Sequence, residues 1–240
     1  MNFVKSFFVL LSLSATLFAF STNNVQYLFG DFNDNSIFDT RSGDKSTITL
    51  EHYSTNEYGD VYAFLDYEIA DERFLYLDNQ TNLYFEISPR FSLSRVVNIN
   101  KNVSFIQDLY VAFQYNRQIA NGYEDFRAYL YGVGADVNVK GFDIFGINVY
   151  KKNQNFSDDT YQLSLNYTSN KIFDTQFLLN GFTDWTENDF LMQNQLLYDF
   201  GKVKYLSDAV LQVGTEWHFY NIKNTNVRSN TLQLQVKVVF

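Results

Sequence analysis

The 240-residue sequence has 18 Lys plus Arg against 27 Asp plus Glu, a formal net charge of -9, which argues against a partner held through nucleic-acid phosphates. It contains no Cys, so neither a disulfide framework nor a thiolate metal site is available. Aromatic residues make up 19% of the chain, 25 Phe and 18 Tyr among them, yet the mean hydropathy is only -0.24. A membrane β-barrel combines these properties, because alternate strand residues face lipid and water while aromatic girdles lie at both interfaces.

At the start of the chain, Lys5 supplies a positive charge, Phe7 to Phe18 is almost unbroken apolar sequence, and Ala19 offers a small residue for cleavage. That is the pattern of a secretory signal peptide over residues 1–19. A retained anchor is the competing reading, but the run falls short of the roughly 20 apolar residues of a spanning helix. It also gives way at once to Ser21-Thr22-Asn23-Asn24. Removal would leave 17 basic against 27 acidic side chains, a net charge of -10, and residues 20–240 as one large all-β domain.

From residue 20 onward the chain shows segments of about ten residues with period-two alternation, separated by Gly, Asn, Asp and Ser clusters. Strands are predicted at 22–33, 44–55, 59–70, 82–95, 107–117, 126–138, 142–153, 159–169, 172–184, 190–201, 209–221 and 229–240. In the fourth, Leu83, Phe85, Ile87, Phe91 and Leu93 face away from Tyr84, Glu86, Ser88, Arg90 and Ser92. Pro89, the sole proline, has no N–H to give the ladder of a barrel without free edges, which predicts a bulge or bend there and a narrowed lumen. The eighth strand sets Tyr161, Leu163, Leu165 and Tyr167 against Gln162, Ser164, Asn166 and Thr168. The last is the clearest: Leu232, Leu234, Val236, Val238 and Phe240 form a lipid face opposite Gln233, Gln235 and Lys237. Its aromatic end resembles the signal read by the barrel assembly machinery.

Twelve strands is an even number, as a single antiparallel barrel with both termini on the periplasmic side requires. The connections 34–43, 71–81, 118–125, 154–158, 185–189 and 222–228 are then extracellular. The stretch Asp71 to Asn82, with Phe74, Leu75, Tyr76 and Leu77, is the most apolar of them. The periplasmic connection between Arg95 and Ile106 is longer than the rule predicts.

Three segments carry a family resemblance. Leu83 to Leu93 joins an apolar strand bearing Glu86 to Pro89-Arg90-Phe91-Ser92. Tyr131-Gly132-Val133-Gly134-Ala135-Asp136 and Ile147-Asn148-Val149-Tyr150 follow as paired central strands, and Asn180-Gly181-Phe182-Thr183-Asp184-Trp185 as a Gly-Phe-Thr strand end. In this order and spacing they resemble the nucleoside-specific outer-membrane channels of the Tsx type, over roughly residues 80–185. The resemblance implies a monomeric barrel in lipid and lipopolysaccharide, whose narrow lumen passes nucleosides along aromatic and ionisable residues. The chain departs from the family in lacking tryptophan-rich strands and in its shorter loops.

A nucleoside offers a flat base and a polyhydroxyl sugar, so a selective pore would pair aromatic faces with carboxylates, amides or Arg. The alternation assigns to the inward face Tyr62, Phe64, Asp66, Tyr84, Glu86 and Arg90, then Asp136, Asn148, Phe182, Asp184 and Glu216, all candidate solute contacts. Glu51, Tyr53, Glu68, Tyr150, Asn180 and His218 share that face. Two plainer readings compete: the aromatics simply fill a small barrel, and Glu86 and Arg90 enter structural ion pairs.

An outer-membrane Ser-His hydrolase is the enzymatic alternative, since His52 lies two residues from Ser54 on one strand face. No activating third residue is identifiable, so no enzyme is expected. No His-x-x-x-His or comparable ligand set appears, and no metal or other cofactor is expected. A channel for another small polar solute and a non-conducting surface barrel complete the alternatives.

Overall fold

The computed structural model describes residues 20–32, 43–71, 81–96, 105–119, 125–204, 209–225 and 227–240. The segment 1–19, read as a signal peptide, and the apolar run Phe74 to Leu77 lie outside them. Twelve strands form one closed barrel in which each pairs with its sequence neighbours and the first with the last. They are β1 (Phe20–Asp31), β2 (Asp44–Thr55), β3 (Gly59–Ala70), β4 (Thr81–Ser92), β5 (Ile106–Ile119), β6 (Phe126–Val137), β7 (Phe142–Gln154), β8 (Thr160–Ser169), β9 (Phe177–Thr186), β10 (Asp189–Lys202), β11 (Val210–Ile222) and β12 (Arg228–Val239). All pairings are antiparallel, the closing one running from Asn24↔Val239 to Phe29↔Leu234. The Phe240 N–H donates to the Asn23 carbonyl at 2.8 Å, so the ladder runs to the last residue. Closure matters because hydrocarbon offers no partner to a free strand edge.

The period-two pattern places one set of side chains outside and the other inside. In β12, Leu232 and Leu234 are 66% exposed on the outer wall, while Gln233 and Gln235 between them are 3% and 1% exposed. Aromatic contacts gather at both rims. Phe142–Tyr167 and Phe177–Tyr198 (6.0 and 5.2 Å between ring centres) lie near the end that carries the termini, and Phe190–Phe219 (5.8 Å) lies near the opposite end. These are the two interfacial belts of a membrane barrel.

Three boundaries differ from expectation. β1 runs from Phe20 to Asp31, two residues earlier than the pattern suggests. β4 stops at Ser92 rather than 95, because Ser92 caps the short helix α1 (Leu93–Val96), its Oγ accepting the Arg95 N–H at 3.0 Å. This helix opens the connection whose length was unexpected. β9 starts at Phe177 rather than 172, since Phe173 and Asp174 adopt left-handed φ values of 49° and 57° and form a 3-10 turn over Ile172–Asp174. Extended backbone cannot pass through that region.

The bulge expected at Pro89 is absent. β4 pairs with β5 through Ile87↔Tyr115, skips Ser88 and Pro89, and resumes at Arg90↔Ala112 on the same register, while Val61↔Pro89 continues the ladder to β3. The missing N–H is accommodated by a gap in one ladder, with no residue inserted and no bend into the lumen. Register shifts occur instead at Ile106/Asp108, Phe142/Ile144 and Asp199/Gly201, all near the rim that carries the termini.

Candidate functional site

Every predicted inward residue lies on the lumen side of its strand. The lumen is closely packed: Asn24, Gln26, Asn82, Asn116, Gln162 and Lys237 are among many inward polar side chains less than 9% exposed. They are inward because each alternates with a lipid-facing apolar residue, and buried because neighbouring strands lean their side chains across the narrow interior.

Arg90 organises the end nearer the termini. Its Nε and Nη2 donate to Asp60 at 2.8 and 2.7 Å, and its Nη1 and Nη2 to Asp136 at 2.8 and 3.2 Å. The guanidinium also lies 4.1 Å from the centre of the Tyr110 ring, whose hydroxyl donates to Asp136 at 2.9 Å. One residue thereby ties β3, β4, β5 and β6 together. The space for it comes from small residues: Ala112 and Ala128 are fully buried, and a Cβ on Gly132 would meet the Val149 carbonyl oxygen at 1.9 Å. Arg90 and Glu86 do not pair with each other; the two sit in separate networks.

Above this clamp, Tyr62, Phe64 and Tyr84 form a file of rings with centres 6.0 and 5.9 Å apart. Acidic groups border it. Glu86 accepts from the Tyr84 hydroxyl, from Gln114 Nε2 at 2.9 Å and from Asn116 Nδ2 at 2.9 Å. Asp66 accepts from Thr49 at 2.5 Å. Glu68 is held by Lys45 at 2.8 Å and Asn82 at 2.5 Å.

The opposite wall is rich in amides. Glu216 accepts from Gln195 and Gln233, each at 2.9 Å, and Gln26 bridges onward to Glu51 at 2.6 Å. Lys237 lies 3.6 Å from Glu51. Asp184 accepts from Ser164 at 2.5 Å. Asn148 reaches Asn166 at 3.4 Å, Phe182 stands opposite Asn166 in the ladder, and His218 meets Gln193 at 3.2 Å and the Phe32 ring edge-on at 5.7 Å. Thus the structure groups Tyr62, Phe64, Asp66, Tyr84 and Glu86 on one side and Asp184 and Glu216 on another, and sets Arg90 and Asp136 apart as a clamp. Sequence reasoning passed over Asp60, Tyr110, Gln114, Asn116 and Gln195. All five alternate with apolar residues, but nothing local marks which charge each one serves.

The outer wall supplies the third residue that the sequence could not. Asn23 Oδ1 lies 2.8 Å from His52 Nδ1, and His52 Nε2 lies 3.0 Å from Ser54 Oγ. A hydrolytic triad has this connectivity. Ser54, however, is 0% exposed, so its hydroxyl offers no approach to an ester. The trio satisfies its own polar groups on a face turned to lipid, where water is scarce.

At the mouth opposite the termini, Asn155, Phe156, Ser157, Asp158, Asn188 and Lys223 line an open cleft of about 710 Å³. It forms a vestibule to the lumen.

Residues 23–218 match the family described as nucleoside-specific channel-forming protein, Tsx. No curated relative matches the chain. Among solved structures, the KdgM porin in complex with disordered oligogalacturonate is similar at 10% identity and a TM-score of 0.46, with 90% of this chain and 98% of that one covered. The translocator domain of the autotransporter NalP from Neisseria meningitidis is similar at 10% identity and a TM-score of 0.43, with 100% and 95% covered.

Proposed function

The chain belongs to the Tsx family of nucleoside-specific channel-forming proteins and is a channel of the outer membrane; from that premise we propose that nucleosides are its cargo, diffusing passively past Tyr62, Phe64 and Tyr84. The observation that carries this reading is the file of three rings bordered by Asp66 and Glu86. A base stacks on an exposed ring face for about 1–3 kcal/mol with little regard to its identity. The sugar hydroxyls are donors, and ionised carboxylates are pure acceptors. Asp184 and Glu216 present further acceptors along the way, and Phe182 a further ring. Weak binding suits the task, because a conducting site must also release its solute.

The packed interior sets how transit occurs. Gln and Lys ends must swing aside for each solute, and such rotamer changes take picoseconds to nanoseconds where side chains are not locked. Arg90 and Asp136, by contrast, hold one wall in place and act by positioning it. The same reading takes the barrel as a monomer, exported by a cleaved segment 1–19 and inserted among lipopolysaccharide by machinery that recognises the strand ending in Phe240.

A channel for another polyhydroxyl solute is the second reading, favoured by the amide wall of Gln26, Gln195 and Gln233, which would receive a sugar equally well. Planar-bilayer current through refolded protein separates the two. Block by adenosine or thymidine, but not by sugars or amino acids, is the expected result. Current that nucleosides leave untouched would remove the nucleoside assignment.

A further inference from the structure

The charges of the lumen do not balance locally. Lys45 is held by Glu68, Lys237 by Glu51, and Arg90 by Asp60 and Asp136 together. Asp66, Glu86, Asp184 and Glu216 form no ion pair among the described residues; their printed partners are hydroxyls and amides. They come from β3, β4, β9 and β11, on facing parts of the wall, and they feel one another: Asp66 and Asp184 both act on Glu86, and Glu216 acts on Asp66. Lys152 is the cation within reach of Glu86 and Asp184 that no carboxylate holds.

A second, independent observation concerns the neutral groups. The Asn116 amide that donates to Glu86 leaves its Oδ1 buried without a partner, and the Gln233 amide that donates to Glu216 leaves its Oε1 likewise. The two residues are 5% and 3% exposed. Asn148 Oδ1 and Gln235 Oε1 are in the same condition. These orphans are all acceptors, so the lumen lacks donors and positive charge in the same region. Like-charged carboxylates facing each other across a confined space repel, and buried acceptors without donors cost free energy. One kind of occupant relieves both.

We propose that the lumen is cation-selective, with small monovalent cations held between Asp66, Glu86, Asp184 and Glu216 and the free amide carbonyls of Asn116 and Gln233, and anions refused. Rings of carboxylates confer cation selectivity on other pores by the same electrostatics. The inference rests on the chain conducting, and is independent of whether nucleosides are its cargo.

The test is the reversal potential of refolded, full-length barrel in planar bilayers under a potassium chloride gradient, without nucleoside. It should take the sign expected for potassium. Glu86→Gln with Glu216→Gln should lower the potassium-to-chloride permeability ratio severalfold, whereas Glu57→Gln and Glu187→Gln, exposed at the two mouths, should leave it unchanged. If the double variant fails to fold, as judged by its gel mobility before heating, Asp184→Asn alone should lower the ratio. A potential at zero or of chloride sign overturns the inference, as does folded barrel without current, or mouth variants that act as strongly as those in the lumen. The cargo assignment fails separately: potassium current that nucleosides do not block sinks it and leaves the selectivity standing.

Discussion

Replacing Arg90 with Met removes four hydrogen bonds and the only cation between Asp60 and Asp136 while retaining much of the side-chain volume. The Asp60 side chain is 5% exposed and that of Asp136 18%, so water cannot restore what the guanidinium supplied. Breaking a buried ion pair by deleting one partner costs about 3–5 kcal/mol, since the remaining charge is left uncompensated, and here two carboxylates remain. Arg90→Met should therefore destabilise the barrel by at least about 3 kcal/mol. Urea unfolding of protein refolded into lipid vesicles, followed by tryptophan emission and by gel mobility without heating, measures it. Adding Asp60→Asn and Asp136→Asn should recover most of the loss, because neutral amides carry no stranded charge. Arg90→Lys should fall between, as an ammonium lacks the fork that serves two carboxylates at once. A cost for Arg90→Met below about 1 kcal/mol, the range of exposed pairs, would refute the clamp as a buried structural element.

Three other expectations follow from the same geometry. Phe64→Ala or Tyr84→Ala should weaken nucleoside block by about five- to a hundredfold, the loss of one stacking contact, while potassium current persists; unchanged block in a titration would exclude these rings from the path. Gly132→Ala should destabilise the β6–β7 wall by about 1–3 kcal/mol in the same urea assay, because its new Cβ would meet the Val149 carbonyl oxygen at 1.9 Å and that oxygen belongs to backbone. Trp185 and Trp217, 53% and 44% exposed on the outer wall, should be quenched by brominated lipid and little by aqueous acrylamide; the reverse would place them off the lipid face.

Much of the architecture was legible in the sequence because a strand's side chains alternate with a fixed period. Reading Leu232 to Phe240 as lipid-facing required nothing but that period, and the same rule sent Tyr62, Glu86, Arg90 and Glu216 inward. Local chemistry failed where backbone departed from it, at the left-handed Phe173 and Asp174 and at the Ser92 cap, and where one proline proved compatible with an unbroken register. What alternation cannot supply is height. Two inward residues on different strands meet only if the closure of all twelve strands brings them level, and that stagger belongs to the barrel as a whole. Arg90 finds Asp136 across an intervening strand and 46 positions along the chain, and Asn23 reaches His52 because β1 pairs with β2 at one register and no other. Composition and period decided the faces; the closed ladder decided which charges share a space, and so made Arg90 a clamp and left Glu86 and Glu216 open toward the passage.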